Sequence, residues 1–349
     1  MKFSLLGLMR PAGLCAELRL AGGDGPGLRR PQATGGRVWL AAILAVAGAA
    51  LGMDPAWAAS IVVPNYSFES PPTSFVTTNI DSWEQTPQPA WYGTNNSYTW
   101  AELTGEFLNT PAGTSNHIDN CTGNQALYLF AVPQVGVFQD YDSTDWSNSV
   151  PTHAFDATFQ AGKSYLLVVG VIGGGGGMTN GASLELALYY RDDASNQVVV
   201  AATNIVYSSA LFPNTTNFID FSAQLPTVQA GDAWAGQHIG ILLLSTASLG
   251  GYGGGGYWDL DDVRLTSASA PVLSGCTVTN GQFAFTLQSD PGAACEVLAA
   301  ANLSLPASQW TSLGTVTNLT GSMVFVDNTA LVGSTSNAGR RFYLARLVD

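Results

Sequence analysis

Three carboxylates lie within four residues in the segment 257–265, which reads Tyr-Trp-Asp-Leu-Asp-Asp-Val-Arg-Leu. Side chains of a β-strand alternate between its two faces, so Asp261 is expected to share a face with Val263 and Leu265. A carboxylate that faces apolar neighbours is costly, and a calcium ion held by oxygen ligands offsets that cost. Asp261 is therefore a candidate metal ligand. The alternative is that the acids lie at a strand end in water.

The elements that must position this segment are strands. From residue 60 to 265 the chain alternates short apolar runs with clusters of Gly, Asn, Ser, Thr and Pro. This pattern is typical of an antiparallel sandwich or jelly roll, and no segment has a sustained helical period. The predicted strands are Gln125–Phe130, Val135–Tyr141, Tyr165–Ile172, Ser183–Tyr190, Val198–Val206, Phe218–Ala223, His238–Ser245 and Tyr257–Leu265. The fold class is all-β, a jelly-roll β-sandwich with a second, smaller all-β domain.

The first predicted strand, Ile61–Glu69, contains a second acid. Alternation predicts Tyr66 and Phe68 on one face, with Asn65 and Glu69 on the other. First and last strands of a sandwich can be neighbours, so an ion between them would join the two ends of the domain.

The N-terminal pattern Asn-x-x-Phe-Glu, a Trp at position 83 and the closing segment 257–265 occur in a recognisable order. Between them lie Asn124–Leu129, Val137–Asp140 and Phe159–Tyr165. This succession resembles the jelly-roll carbohydrate-binding modules and is similar in particular to the bacterial domain of the hapalindole-type cyclases, over about residues 60–266. The resemblance implies a structural calcium ion with ligands Glu69 and Asp261, and also Asn65.

Aromatic residues are concentrated between positions 83 and 100, in a segment rich in Pro, Asn, Gly and Thr. Aromatic faces on loops stack on sugar rings and other flat apolar surfaces. We therefore expect Trp91, Tyr92 and Trp100 to contact a ligand. The alternative, favoured for Trp83, is that these rings cap the core of the sandwich.

Two glycine runs, Gly173–Gly177 and Gly250–Gly256, lack the Lys-Ser/Thr ending of a phosphate-binding loop, so nucleotide binding is not expected. They are expected to be flexible loops, or the mobile rims of a ligand cleft. The three histidines are far apart in the sequence and no Gly-x-Ser-x-Gly occurs, so no catalytic residue is assigned.

Residues 1–58 are expected to be an N-terminal extension followed by a secretory signal, because arginines precede a short apolar run that ends in Ala-Trp-Ala. Their removal takes away six basic and three acidic residues, leaving six basic and 22 acidic residues and a net charge of −16. So few basic residues argue against nucleic acid or an anionic membrane as a partner. We expect a secreted, cell-surface or periplasmic bacterial protein with no membrane span in its mature chain.

A short linker, residues 267–271, separates the sandwich (59–266) from a smaller β domain (272–349). The second domain resembles a module common at the C-termini of secreted proteins of Verrucomicrobia and Planctomycetes, which implies a structural or surface-association role. It contains Cys276 and Cys295, and the oxidising compartment favours a disulfide between them.

Three functions are compatible with these features. The first is a non-enzymatic, calcium-stabilised module that binds either a polysaccharide or a small extracellular ligand. The second is a cyclase- or lyase-type enzyme that uses the mouth of the sandwich, since a fold does not fix a function. The third is a purely structural surface or matrix protein. The sequence favours the first.

Overall fold

The computed structural model describes residues 59–93, 96–148, 150–247, 256–279, 282–331 and 341–348. The predicted extension and signal, residues 1–58, lie outside the described residues. Two compact units are present: residues 58–270 form one, and the described residues after Ala270 belong to the other.

The first unit consists of two antiparallel sheets with a shared apolar core. Its strands are β1 (Ala59–Ile61), β2 (Val76–Thr77), β3 (Glu84–Gln85), β4 (Thr104–Leu108), β5 (Gln125–Phe130), β6 (Gly136–Gln139), β7 (Lys163–Gly175), β8 (Ser183–Arg191), β9 (Gln197–Val206), β10 (Ile219–Leu225), β11 (Gly240–Ser245) and β12 (Tyr257–Ser269). The first sheet has the order β10-β7-β12-β5-β4-β2, with β1 also paired to β12. The second has the order β3-β6-β11-β8-β9. A short 3-10 helix, Trp100–Leu103, precedes β4.

Alternating apolar residues account for the sandwich. In β8, Leu184, Leu186 and Leu188 are fully buried in the core between the sheets. Each such side chain contributes about 1.5–3 kcal/mol relative to exposure. All eight strands listed from the sequence are present, so the predicted all-β jelly-roll class is confirmed.

The first predicted strand is wrong beyond its beginning, because β1 ends at Ile61. Asn65 and Phe68 have positive φ angles of 47° and 54°, which turn the chain where the alternation pattern assumed an extended strand. Tyr66 is consequently 44% exposed while Phe68 is fully buried, so the two do not share a face.

The first and last strands are neighbours. β1 pairs antiparallel with β12, with Ile61 opposite Leu265, and the Val263 N–H donates to the Tyr66 carbonyl at 2.8 Å. A bulge interrupts β12 between Asp261 and Arg264, where Asp262 has a φ of 52°. The bulge reverses the alternation. Val263 therefore belongs to the core between the sheets while Asp261 does not, and the predicted shared face is wrong.

The first glycine run is a loop only in part, because residues 173–175 belong to β7 while Gly176 and Gly177 form the turn that follows. An added Cβ at Gly173 would lie 2.8 Å from the Trp258 ring, so this glycine permits a close approach of an aromatic side chain. Most of the second run, residues 250–255, lies outside the described residues.

The second unit contains two three-stranded antiparallel sheets, ordered β13-β14-β17 and β16-β15-β18. The strands are β13 (Val272–Thr279), β14 (Gln282–Gln288), β15 (Ala293–Ala300), β16 (Thr311–Asn318), β17 (Ser322–Leu331) and β18 (Phe342–Leu347). Phe285, Leu287 and Val297 form part of its core.

The disulfide predicted between Cys276 and Cys295 is wrong, because Cys295 is a free thiol. Cys295 is fully buried in the core of the second unit, whereas Cys276 lies on an exposed part of β13 at a bulge. The two residues thus lie on strands of two separate sheets, and one is exposed while the other is buried. Within the described ranges, no helix is both long enough and apolar enough to cross a membrane.

Candidate functional site

The outer face of the first sheet carries the candidate site. Along β12, Trp258 and Leu260 are fully buried in the core between the sheets. Side-chain alternation therefore turns Tyr257 and Asp259 to the opposite, outer face. Both retain partial exposure, so this face is open to a ligand.

Neighbouring strands add aromatic rings to the same face. β5 places Phe130 opposite Tyr257 and Tyr128 opposite Asp259. The Phe130 ring centroid lies 6.0 Å from that of Tyr257, 6.1 Å from that of Tyr128 and 5.3 Å from that of Tyr98. We call the four rings Tyr98, Tyr128, Phe130 and Tyr257 the ring face. Tyr98 is 52% exposed, and the other three are half-buried.

Asp259 lies at the inner end of the ring face, between Tyr128 on β5 and Ile172 on β7. Its Oδ1 atom is buried and has no hydrogen-bond partner among the described residues. Burial raises the pKa of Asp259 to about 8. Burial, and then the charge of Asp259, raise the pKa of Tyr257. A carboxyl group without a partner in an apolar setting is available to exchange a proton or a hydrogen bond with a bound molecule.

Glycines let the Tyr257 ring lie close to the backbone of β7. An added Cβ at Gly175 would overlap the Tyr257 ring, and one at Gly176 would lie 3.1 Å from it. These two glycines therefore fix the position of Tyr257 by close packing.

Asp261 is fully buried on the same outer side, next to the turn 122–125. Its Oδ2 accepts from the Thr122 N–H at 2.6 Å and its Oδ1 from the Asp262 N–H at 2.7 Å. Burial raises the pKa of Asp261 to about 7, against the opposing effect of these bonds and of the Cys121 thiol.

Glu69 binds the other end of the same turn, so the structure brings the two predicted acids together. Its Oε1 accepts from the N–H groups of Asn124 and Gln125 at 2.7 and 2.6 Å. Gly123 has a φ of 85°, and a Cβ there would lie 2.5 Å from that oxygen. The backbone thus forms a cradle around the carboxylate that only glycine leaves open.

The carboxylates of Glu69 and Asp261 both bind the turn 122–125 and are oxygen ligands of the kind that calcium takes, so a calcium ion there would need carbonyl oxygens and water as its remaining ligands. Asn65 does not fit this role: its Oδ1 accepts from the Ser70 N–H at 3.1 Å, and its Nδ2 donates to Ser70, Asp81 and Glu106. Within the part of the chain that the structure describes, no group of three or more His, Cys, Asp or Glu side chains is arranged for a metal ion.

Two of the three predicted ligand-contacting aromatics are core residues. Tyr92 is 4% exposed and Trp100 is 6% exposed, and their ring centroids are 5.0 Å apart. The Trp100 Nε1 donates to the Thr86 carbonyl at 2.7 Å. The prediction of ligand contact is therefore wrong for Tyr92 and Trp100, because their rings cap the core. Trp91 retains 37% exposure. Trp83 is buried against Phe68, as favoured from the sequence.

Sequence reasoning did not single out Asp259, Tyr128 or Phe130. The available signal was alternation: Tyr257 and Asp259 are two residues apart, as are Tyr128 and Phe130. When aromatic or acidic residues occupy alternate positions of two paired strands, their side chains lie on the same face of the sheet.

Comparison with protein families gives a match for residues 59–266 to the HpiC1-like family, described as HpiC1 cyclase. The chain belongs to the HpiC1-like cyclase family. Comparison with curated protein sequences gave no match.

Comparison with solved structures gives matches at low identity. A Stig cyclase, FisC from Fischerella sp. TAU, in complex with (3Z)-3-(1-methyl-2-pyrrolidinylidene)-3H-indole, is 21% identical, with a TM-score of 0.42 over 61% of this chain and 98% of that chain. The CBM22-1–CBM22-2 tandem domain of Xyn10C from Paenibacillus barcinonensis is 10% identical, with a TM-score of 0.34 over 84% of this chain and 91% of that chain.

The family match overturns the function that the sequence favoured. A cyclase family model matches the whole sandwich, and this match contradicts the prediction of a non-catalytic binding module. The second reading, an enzyme of cyclase type, agrees better with this match.

Proposed function

We propose that the protein is a cyclase whose reaction takes place on the ring face beside Asp259. One observation carries this assignment: a carboxyl group with a buried oxygen that has no hydrogen-bond partner among the described residues adjoins a half-exposed aromatic surface. Membership of a cyclase family supports it. Enzymes retain such destabilised polar groups where the chemistry needs them.

The rings and the acid have separate roles. The faces of Tyr98 and Tyr257 hold a flat, apolar substrate by stacking and exclude water from it. Asp259 gives its carboxyl proton to a substrate double bond, the resulting cationic carbon is attacked by an electron pair of the substrate, and a new ring bond forms. The proton lost from the attacking group returns to the Asp259 carboxylate. The product is an isomer of the substrate, and no oxidant or reductant is needed.

The two acids that bind the turn 122–125 have a structural role in this proposal. Glu69 and Asp261 would hold a calcium ion, which neutralises their charges and joins the N-terminal segment to β12. Because Asp259 is two residues from Asp261 on the same strand, the turn also fixes the position of the reacting carboxyl group.

The test is turnover by wild type and Asp259→Asn on aromatic compounds with an alkene side chain, followed by liquid chromatography and mass spectrometry. Wild type is expected to yield a product of unchanged mass and altered retention, and Asp259→Asn to be at least about 100-fold slower. Asp262→Asn is the control, because that carboxylate pairs with Arg264 at the surface and should leave turnover unchanged. Equal rates for wild type and Asp259→Asn would refute the role of Asp259.

A further inference from the structure

The ring face combines the negative faces of aromatic rings with a nearby carboxylate. The faces of aromatic rings carry partial negative charge and attract cations. Glu102 belongs to the 3-10 helix that directly precedes β4, and its Oε2 accepts from the Thr99 N–H at 2.7 Å and from the Thr99 hydroxyl at 2.8 Å. The backbone and side chain of Thr99 lower the pKa of Glu102, so this carboxylate stays ionised.

The Tyr128 side chain reaches β4, the strand that Glu102 precedes, because an added Cβ at Gly105 would lie 2.6 Å from the Tyr128 hydroxyl oxygen. Burial, and then the charge of Glu102, raise the pKa of Tyr128 to about 12. Thr99, which binds the Glu102 carboxylate, directly follows Tyr98 in the chain. The Glu102 carboxylate is thus near Tyr128 and is bound by the residue that follows Tyr98.

No basic residue of the sandwich balances this charge. Residues 59–270 contain 18 acidic residues and three basic ones, Lys163, Arg191 and Arg264. Arg191 is bound to Asp140 at 2.7 Å on the second sheet, and Arg264 to Asp220 and Asp262. Lys163 begins β7, twelve residues from Gly175 and so about 40 Å along the strand. Within the sandwich, a positive charge at the ring face has to come from the ligand.

We infer that the ring face selects substrates that carry a positively charged nitrogen, which lies over the outer rings near Glu102 while the reacting part of the molecule reaches Asp259. This inference rests on the proposed function and names the substrate class of the same site. An exposed cation–π contact is worth about two- to fivefold in affinity. An exposed carboxylate partner adds up to about fivefold.

The experiment is a charge series of three soluble probes with one aromatic ring each: 2-phenylethylamine, 2-phenylethanol and 3-phenylpropionate. Their dissociation constants are measured by calorimetry on the full chain at pH 7 in calcium-containing buffer of low ionic strength. The amine is expected to bind about five- to twentyfold more tightly than the alcohol, and the carboxylate most weakly. Salt should reduce the difference.

Glu102→Gln keeps the shape and the Thr99 hydrogen bonds but removes the charge, so it should lower the preference for the amine about two- to fivefold. Glu185→Gln, on β8 of the second sheet, is the matched control and should not change it. Equal or tighter binding of the alcohol by wild type, or a preference unaffected by Glu102→Gln, would overturn the inference and leave the proposed function standing. Absence of binding by all three probes would overturn both.

Discussion

Asp259→Leu is expected to make the protein more stable while abolishing its activity. The buried Oδ1 of Asp259 has no partner in the described part of the chain, and such a group costs about 1–3 kcal/mol. Leucine is larger, but it branches at Cγ as aspartate does, has no polar atom to satisfy, and would occupy a position that is only partly buried. With a gain near 2 kcal/mol, a domain of this size should melt roughly 4–8 °C higher. Differential scanning calorimetry in calcium-containing buffer measures the shift.

The same substitution two residues away supplies the control. Asp261 accepts from the Thr122 and Asp262 N–H groups, so Asp261→Leu leaves both donors unsatisfied. Each costs about 1–3 kcal/mol, and the variant should melt well below wild type. A decrease in melting temperature for Asp259→Leu similar to that of Asp261→Leu would refute the claim that Asp259 is held in the fold at a cost to stability.

Three further outcomes are expected. Removal of calcium with EDTA should lower the melting temperature of wild type, by roughly 5–10 °C if free calcium exceeded its dissociation constant 100-fold, but not that of Glu69→Gln. Gly175→Ala should displace the Tyr257 ring and weaken 2-phenylethylamine binding in calorimetry, whereas Gly231→Ala, with open space at its Cβ, should not; equal effects would contradict the packing argument. Burial acts to raise the pKa of Asp327, but hydrogen bonds to its carboxylate outweigh burial and lower the pKa. The ionised Asp327 therefore stabilises the folded protein above the unfolded-state pKa, and this stabilisation should be lost as the pH falls through the lower pKa of the folded state. Urea unfolding from pH 6 to 2.5 should therefore show a weaker acid dependence for Asp327→Asn.

The strands of the sandwich follow from the sequence because each buries one face. The leucines of β8 recur at every second position, and a one-residue shift would expose all of them. Burial of Asp261 also follows from its sequence neighbours, although the direction of its side chain does not. The left-handed conformation of Asp262 depends on the bulge in β12, and alternation alone does not reveal a bulge.

The aromatic residues show the limit of sequence reasoning more clearly. Tyr92 and Trp100 occur in a segment of turn-forming residues, which is also the composition of a binding loop, yet their rings close the core. Phe130 and Tyr257 are about 130 positions apart and come together only through the pairing of β5 with β12. Such non-local pairing is set by topology, so alternation places each pair of residues on one face of its own strand but does not show that the two strands are neighbours.

A crystal structure of the calcium-loaded protein with bound 2-phenylethylamine tests the central claim most directly. The account predicts ligand density on the ring face, with the aromatic ring of the ligand against Tyr257 and its nitrogen toward Glu102. Density for the ligand at Trp91 or on the second sheet, with the surface beside Asp259 occupied only by water, would contradict it.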